Sequence, residues 1–251
     1  LIKIKYIQLE YILLVFINCI MFNKLRFLYC GDTAITVEIG SEITTEINSK
    51  VIALYEYLKE SKIKGINEVM PTYCSITIFY DPIECDLIGL KMDIENKFQN
   101  IKNKTSNMKD VIDIPVIYGG KYGPDLERVA KYNKLTKEDV IKIHSMETYL
   151  VYMIGFTPGF PYLGGMNSKI STPRLNVPRK RILSGAVGIA GNQTGIYPLE
   201  SPGGWNIIGQ TPMELFKPNS NSPVLITPGN YVRFKPIEEK VYIEFKNKKG
   251  A

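Results

Sequence analysis

A break in composition near residue 110 constrains this 251-residue chain more than any other feature: 15 of its 20 glycines and 13 of its 15 prolines lie between residues 111 and 236. Glycine costs backbone entropy in any regular element and proline removes a donor, so that stretch cannot run as long helices. Short strands punctuated by turns are what it can form, the pattern of a closed or partly closed barrel. Val111–Tyr118 and Tyr149–Ile154 read as strands, as do the short runs 185–190, 205–209, 224–226, 231–236 and 241–245. Between the first two, 119–123 reads as a loop, Pro124 suits the first turn of a helix, and Thr136 with Asp139 caps a helical stretch reaching His144.

Upstream the periodicity changes. Residues 34–39 are β-rich, and 41–62 place Ile43, Ile47, Val51, Leu54, Tyr55 and Leu58 on one helical face, with Gly65 as a stop. Residues 66–70 and 74–80 read as strands separated at Pro71 and Thr72, and 88–103 repeat the helical pattern. Helices on a sheet make a small α/β layer. With the polar stretch 105–109 as linker, the expectation is an α+β chain: an N-terminal α/β domain over 21–108 and a barrel domain over 109–251.

Residues 1–20 stand apart. The apolar run 11–22 is shorter than the roughly 20 residues that span a bilayer. Lys3 and Lys5 imitate a signal-peptide start, yet no small-residue cleavage site follows. Met21 opens a stretch that reads as the start of a cytoplasmic domain, so 1–20 is read as an upstream extension, with a membrane anchor as the alternative.

Composition narrows the chemistry. A net charge of +6 with no Lys/Arg-rich arm suits an anionic small molecule or an acidic partner surface and gives no footprint for nucleic acid. Cys19, Cys30, Cys74 and Cys85 form no C-x-x-C pair, and one histidine cannot make a His-rich metal centre, so no metal site is expected and the thiols read as reduced and buried. Phosphate-binding G-x-x-x-x-G-K-[ST], dinucleotide G-x-G-x-x-G, H-E-x-x-H and G-x-S-x-G motifs are all missing.

What remains is dense between residues 144 and 205. The loop 155–165 alternates Phe156, Phe160 and Tyr162 with glycine and proline. It reads either as a structural loop or as a rigid wall whose backbone amides approach a ligand. Arg174, Arg179, Lys180 and Arg181 then place four cations within eight residues, while only Glu200 and Glu214 supply acids between 150 and 236. A guanidinium is a planar fork for carboxylate or phosphate, so this is an anion site or a solvated basic loop, and the aromatic neighbour tilts the reading to the former. Gln193 and Thr194 add neutral hydrogen-bonding groups beside glycines that permit close packing. His144, the one side chain that titrates near neutrality, is read as a pocket residue over a core residue, with Tyr149 and Tyr152 placed to orient it. Trp205 receives no chemical role.

The blocks GFTPGFPYLGG (155–165), TPRLNVPRKRILSGAVGIAGNQTGIYP (172–198), SPGGWNIIGQTPMELF (201–216) and TPGNYVRF (227–234) resemble, in order, the carboxyltransferase subdomain family. That family is shared by the B-type subunit of 5-oxoprolinase, Kip-type inhibitors of a sporulation histidine kinase, and the subunit 1 region of allophanate hydrolase and urea carboxylase. The resemblance implies a small N-terminal α/β domain followed by a cyclophilin-like β-barrel. It further implies a cytoplasmic B-type subunit of an ATP-dependent 5-oxoprolinase that opens the lactam of 5-oxoproline to glutamate. A C-type subunit with a related barrel and an A-type subunit would be its partners, with ATP and its Mg counter-ion held by the complex. By motif match His144, Arg179 and Gln193 would be catalytic, and Arg174 and Ser184 would bind substrate beside Phe156, Phe160 and Tyr162. Inhibition of a histidine kinase is the alternative, and a carboxyl-transfer role in urea metabolism a weaker one, because no biotinyl-lysine context is present.

Overall fold

The computed structural model describes residues 21–101 and 111–247. The extension 1–20 and the linker 105–109 lie outside the described residues. The chain forms two compact units, divided between Ser106 and Asn107.

Unit 1 is a four-stranded antiparallel sheet in the order β1-β2-β4-β3, from β1 (Met21–Tyr29), β2 (Ala34–Gly40), β3 (Ile66–Pro71) and β4 (Ser75–Tyr80). Alternation along β4 buries Ile76, Ile78 and Tyr80 and leaves Ser75, Thr77 and Phe79 part-exposed, which fixes one face as the packed one. Helices α1 (Thr45–Ser61) and α2 (Leu87–Asn100) complete the layer. α1 starts where Thr44 accepts a hydrogen bond from the amide of Ile47, and ends at Lys62 in a left-handed cap. Its buried Ile47, Val51, Leu54 and Leu58 share a core with Ile35, Val37, Ile39 and Ile94. Strand β1 is a finding, since the sequence reading leaves 21–29 unassigned.

Unit 2 is a closed seven-stranded barrel in the order β10-β7-β6-β13-β5-β12-β9. Its strands are β5 (Val111–Tyr118), β6 (Tyr149–Ile154), β7 (Pro161–Gly164), β9 (Ala186–Ala190), β10 (Gln193–Ile196), β12 (Asn206–Gln210) and β13 (Tyr231–Pro236). Most neighbours run antiparallel; β13 and β5 are parallel over six residue pairs. A separate two-stranded ribbon joins β8 (Arg179–Ile182) to β11 (Ser201–Gly203). Two helices fill the crossover from β5 to β6, α3 (Leu126–Tyr132) and α4 (Lys137–Met146), the second with the expected capping box of Thr136 and Asp139.

Two β-readings fail. Residues 241–245 lie in a helix, α5 (Glu239–Asn247), where strong helix formers flank a short apolar run that periodicity alone cannot assign. Residues 224–226 contribute one isolated bridge, between Val224 and Phe216. Among the described residues no helix is long and apolar enough to cross a membrane.

Candidate functional site

Helix α4 packs on β13 and carries His144 to the barrel interior, where the side chain is completely buried. Nδ1 lies 2.8 Å from the hydroxyl of Tyr118, and Nε2 lies 2.8 Å from Oγ1 of Thr194. Thr194 spends its own proton on the carbonyl of Gly188 at 3.0 Å. Its oxygen must therefore accept from Nε2–H, which leaves Nδ1 as the acceptor of the Tyr118 proton. The network assigns one neutral tautomer in a directed chain from Tyr118 through His144 and Thr194 to Gly188. The ring also stacks on Phe234 at 4.4 Å between centroids. Burial lowers its pKa to about 3. The expectation of a pocket histidine that moves protons is thus corrected: both nitrogens are engaged and the ring is sealed in the core. Tyr149 donates to the His144 carbonyl at 2.7 Å, and Tyr118, which the sequence reading passes over, is the phenol that holds the ring.

Side chains alternate along a strand, so Gln193 and Gly195 on β10 face away from Thr194, outside the barrel. The packing agrees. A Cβ on Gly195 would meet Phe160 and Trp205 at 3.1 Å each, and one on its register partner Gly188 would meet Trp205 at 3.2 Å. Two glycines therefore let Trp205 approach the outer wall closely, its Cβ at Gly188 and its ring at Gly195. Around it Phe160, Tyr162, Tyr197 and Trp205 form an aromatic cluster with Ala186, Ala190 and Ile207, and Phe160 packs 4.9 Å from Tyr162, 5.1 Å from Tyr197 and 5.5 Å from Trp205. Phe156 edges this cluster, 62% exposed and held at φ +66°, a left-handed conformation that costs free energy for a side chain of this size.

The two arginines differ. Arg179 donates from both terminal nitrogens to Asp125, at 2.8 and 2.7 Å, and Asp125 also accepts the amide of Ile207 at 2.7 Å. This bidentate pair ties β8 to the start of α3, so Arg179 is already committed to a buried carboxylate. Counting acids only between 150 and 236 hides that partner, although an Asp directly after Pro124 is where a helix-start carboxylate is found. Arg174 is exposed and makes no ion pair among the described residues. Burial raises the pKa of Tyr162 and lifts that of Tyr197 to about 12, while the positive charge of Arg174 pulls both down. Both phenols thus remain O–H donors near neutrality, with Arg174 as the cation beside them. Ser184 donates to the carbonyl of Pro198 at 2.7 Å, and its own carbonyl accepts from Gln210, so it locks a turn. The structure gathers Arg174, Gln193, Phe156, Phe160 and Tyr162 on one outer face with Tyr197 and Trp205, and leaves His144 on the inner one.

A small α/β layer and a closed barrel bearing an aromatic outer face define a cyclophilin-like α+β protein. Residues 25–226 match the model of the carboxyltransferase domain, subdomain C and D. The chain is 43% identical over 226 residues to the B-type subunit of 5-oxoprolinase from Bacillus subtilis (strain 168), covering 86% of this chain and 94% of that protein. It is 53% identical over 171 residues to the corresponding 5-oxoprolinase subunit from Haemophilus influenzae, covering 68% and 79%. Among solved structures, that of TTHA0988 superposes with a TM-score of 0.73 at 35% identity, covering 82% of this chain, which spans 40% of that longer protein. The chain belongs to the carboxyltransferase subdomain C and D family, and within it to the B-type subunits of 5-oxoprolinase.

Proposed function

We propose that this chain serves as the B-type subunit of an ATP-dependent 5-oxoprolinase, which consumes water and ATP to open the lactam of 5-oxoproline to glutamate, releasing ADP and phosphate. The observation that carries the reading is the identity to such subunits along nearly their whole length. The A-type and C-type subunits are the partners, and the cytoplasm is the compartment. ATP and its Mg counter-ion are assigned to the assembled complex.

The outer aromatic face is the proposed substrate site. A lactam is a poor electrophile, and phosphoryl transfer to its oxygen converts that oxygen into a leaving group. The intermediate then carries a carboxylate and a phosphate, and a cation aimed at them lowers the barrier where charge develops. Arg174 fills that role, Tyr162 donates a hydrogen bond, Gln193 fixes the lactam, and Phe156 and Phe160 exclude water. Arg179 acts through Asp125 as a positioning residue, and His144 holds β10 from behind.

Co-expression with the A-type and C-type subunits tests the reading. Glutamate formation from 5-oxoproline and ATP should need this chain. A rate unchanged by its omission, with inhibition of histidine kinase autophosphorylation by the chain alone, would transfer the reading to the Kip-type regulator.

A further inference from the structure

Unit 1 carries a groove that the proposed function leaves unused, and its argument does not rest on that function. The groove has a volume of about 520 Å³ and lies between the last turns of α1 and the strand β3. Leu58, Ile66 and Val69 give it an apolar floor, Tyr55 one wall, and Lys59 and Lys62 its rim. The helix creates this face directly: Tyr55, Leu58 and Lys59 recur at i, i+3 and i+4, and the left-handed cap at Lys62 then turns the chain away.

Strand β3 is an edge. It pairs with β4 on one side and stands at the end of the sheet order, so its outer row of amides and carbonyls meets no other strand among the described residues. Such edges template the addition of an extended chain unless the sequence blunts them, with lysine, proline or a bulge. Here the register slips only between Ile66 and Glu68. Glu68, Val69 and Met70 then run in step with Phe79, Ile78 and Thr77, without a lysine, and proline enters only at the final position, Pro71. Met70 is 43% exposed on this strand.

Charge selects the occupant. Lys59 and Lys62 are exposed and form no ion pair among the described residues, whereas Glu68 is the single acid in the lining. Against Glu68 and the roughly half negative charge of the helix C-terminus, the two lysines leave the groove with a small net positive charge, carried at its rim. We propose that this edge is a docking site for an extended acidic segment of another polypeptide. The segment adds as a strand beside β3, places one apolar side chain in the groove, and sets its carboxylates on Lys59 and Lys62. Main-chain bonds supply affinity in that mode and the groove supplies selectivity.

The test pans a random twelve-residue peptide library against the full chain, with a K59E/K62E variant as counter-selection. Both lysines are exposed, and a circular-dichroism spectrum and urea midpoint close to those of the parent chain qualify the variant as folded before it is used. Enriched peptides should combine Asp or Glu with a single large apolar residue and bind at least tenfold more weakly to the variant. Amide exchange should slow at residues 66–70 when such a peptide is added. The proposal is overturned by failure to enrich any lysine-dependent peptide, by enrichment of basic or proline-rich ones, or by protection that appears elsewhere. It is equally overturned if sedimentation shows that the edge is already covered by a second copy of this chain.

Discussion

Thr194 and Gln193 are neighbours in sequence and stand on opposite faces of β10, and their surroundings follow opposite rules. Inward, Thr194 links His144 to Gly188, and each of its hydrogen-bonding roles there has a named partner inside the core. Outward, the wall that Gln193 shares carries aromatic rings, two protonated phenols and an arginine without an ion-pair partner among the described residues. A polar group inside a barrel must be paired, because an unpaired one loses its water bonds without replacement. On the outer wall Phe160, Tyr197 and Trp205 are buried as well, and the constraint relaxes only at exposed Arg174, where a cation can be kept for a ligand. Chemistry-bearing residue types occur on both faces, so residue type alone does not separate structural from ligand-facing groups. Whether a cation is already paired does: Arg179 is bound by Asp125, and Arg174 makes no ion pair among the described residues.

The comparison breaks most easily at the inner face. Replacing His144 with Ala removes a fully buried ring, its stack on Phe234, the acceptor of Tyr118 and the donor to Thr194. The expected cost is about 4 kcal/mol of folding stability, the scale of losing a large core side chain together with its hydrogen bonds. Urea unfolding measures it. A loss below about 1 kcal/mol would mean that the ring is not the pin described here.

Acid should act on the same residue with a smaller effect. The folded-state pKa of about 3 lies below the ordinary value of 6.5, so the unfolded chain takes up the proton first as pH falls. The stabilisation is complete above pH 6.5 and is lost progressively toward pH 3. Between pH 6.5 and 5 the loss should be about 1.7 kcal/mol, the slope rising toward about 1.4 kcal/mol per unit as the unfolded imidazole becomes protonated. Tyr118 and Tyr149, the phenols beside the ring, are both pushed upward by burial and do not titrate in that window. Unfolding midpoints in urea at the two pH values, at fixed ionic strength, give the slope; a flat profile would show that the imidazole is accessible.

Much of the fold is legible in the sequence, and the gaps have physical causes. The Gly/Pro break marks the barrel half, and the capping residues and the apolar stripe of α1 mark helices, because those signals are local. β7 and β8 read as loop, since Pro161, Pro173 and Pro178 suggest breakage and only long-range pairing converts their surroundings into strand. The outer aromatic face is half legible: Phe156, Phe160 and Tyr162 stand out, while Tyr197 and Trp205 join them only through the closure of the barrel. The pairing of Arg179 with Asp125 spans 54 residues, and no local pattern announces it. His144 misleads because a titratable side chain near a helix end looks alike in sequence whether the helix end meets solvent or a core.

The outer face provides the smallest expected change in stability and the sharpest contrast. Arg174 is exposed and makes no ion pair among the described residues, so Arg174→Ala should alter stability by less than about 0.5 kcal/mol. In the reconstituted complex the same change should lower turnover of 5-oxoproline by about two orders of magnitude, as loss of one preorganised electrostatic partner does. Arg179→Ala is the counterpart. It strands a buried carboxylate, so it should cost folding stability of about 3 kcal/mol before any effect on turnover is read. If Arg174→Ala instead destabilises the protein and Arg179→Ala does not, the two guanidinium groups have exchanged roles. If neither alters turnover in a folded complex, the aromatic face is a packing surface and the substrate lies elsewhere.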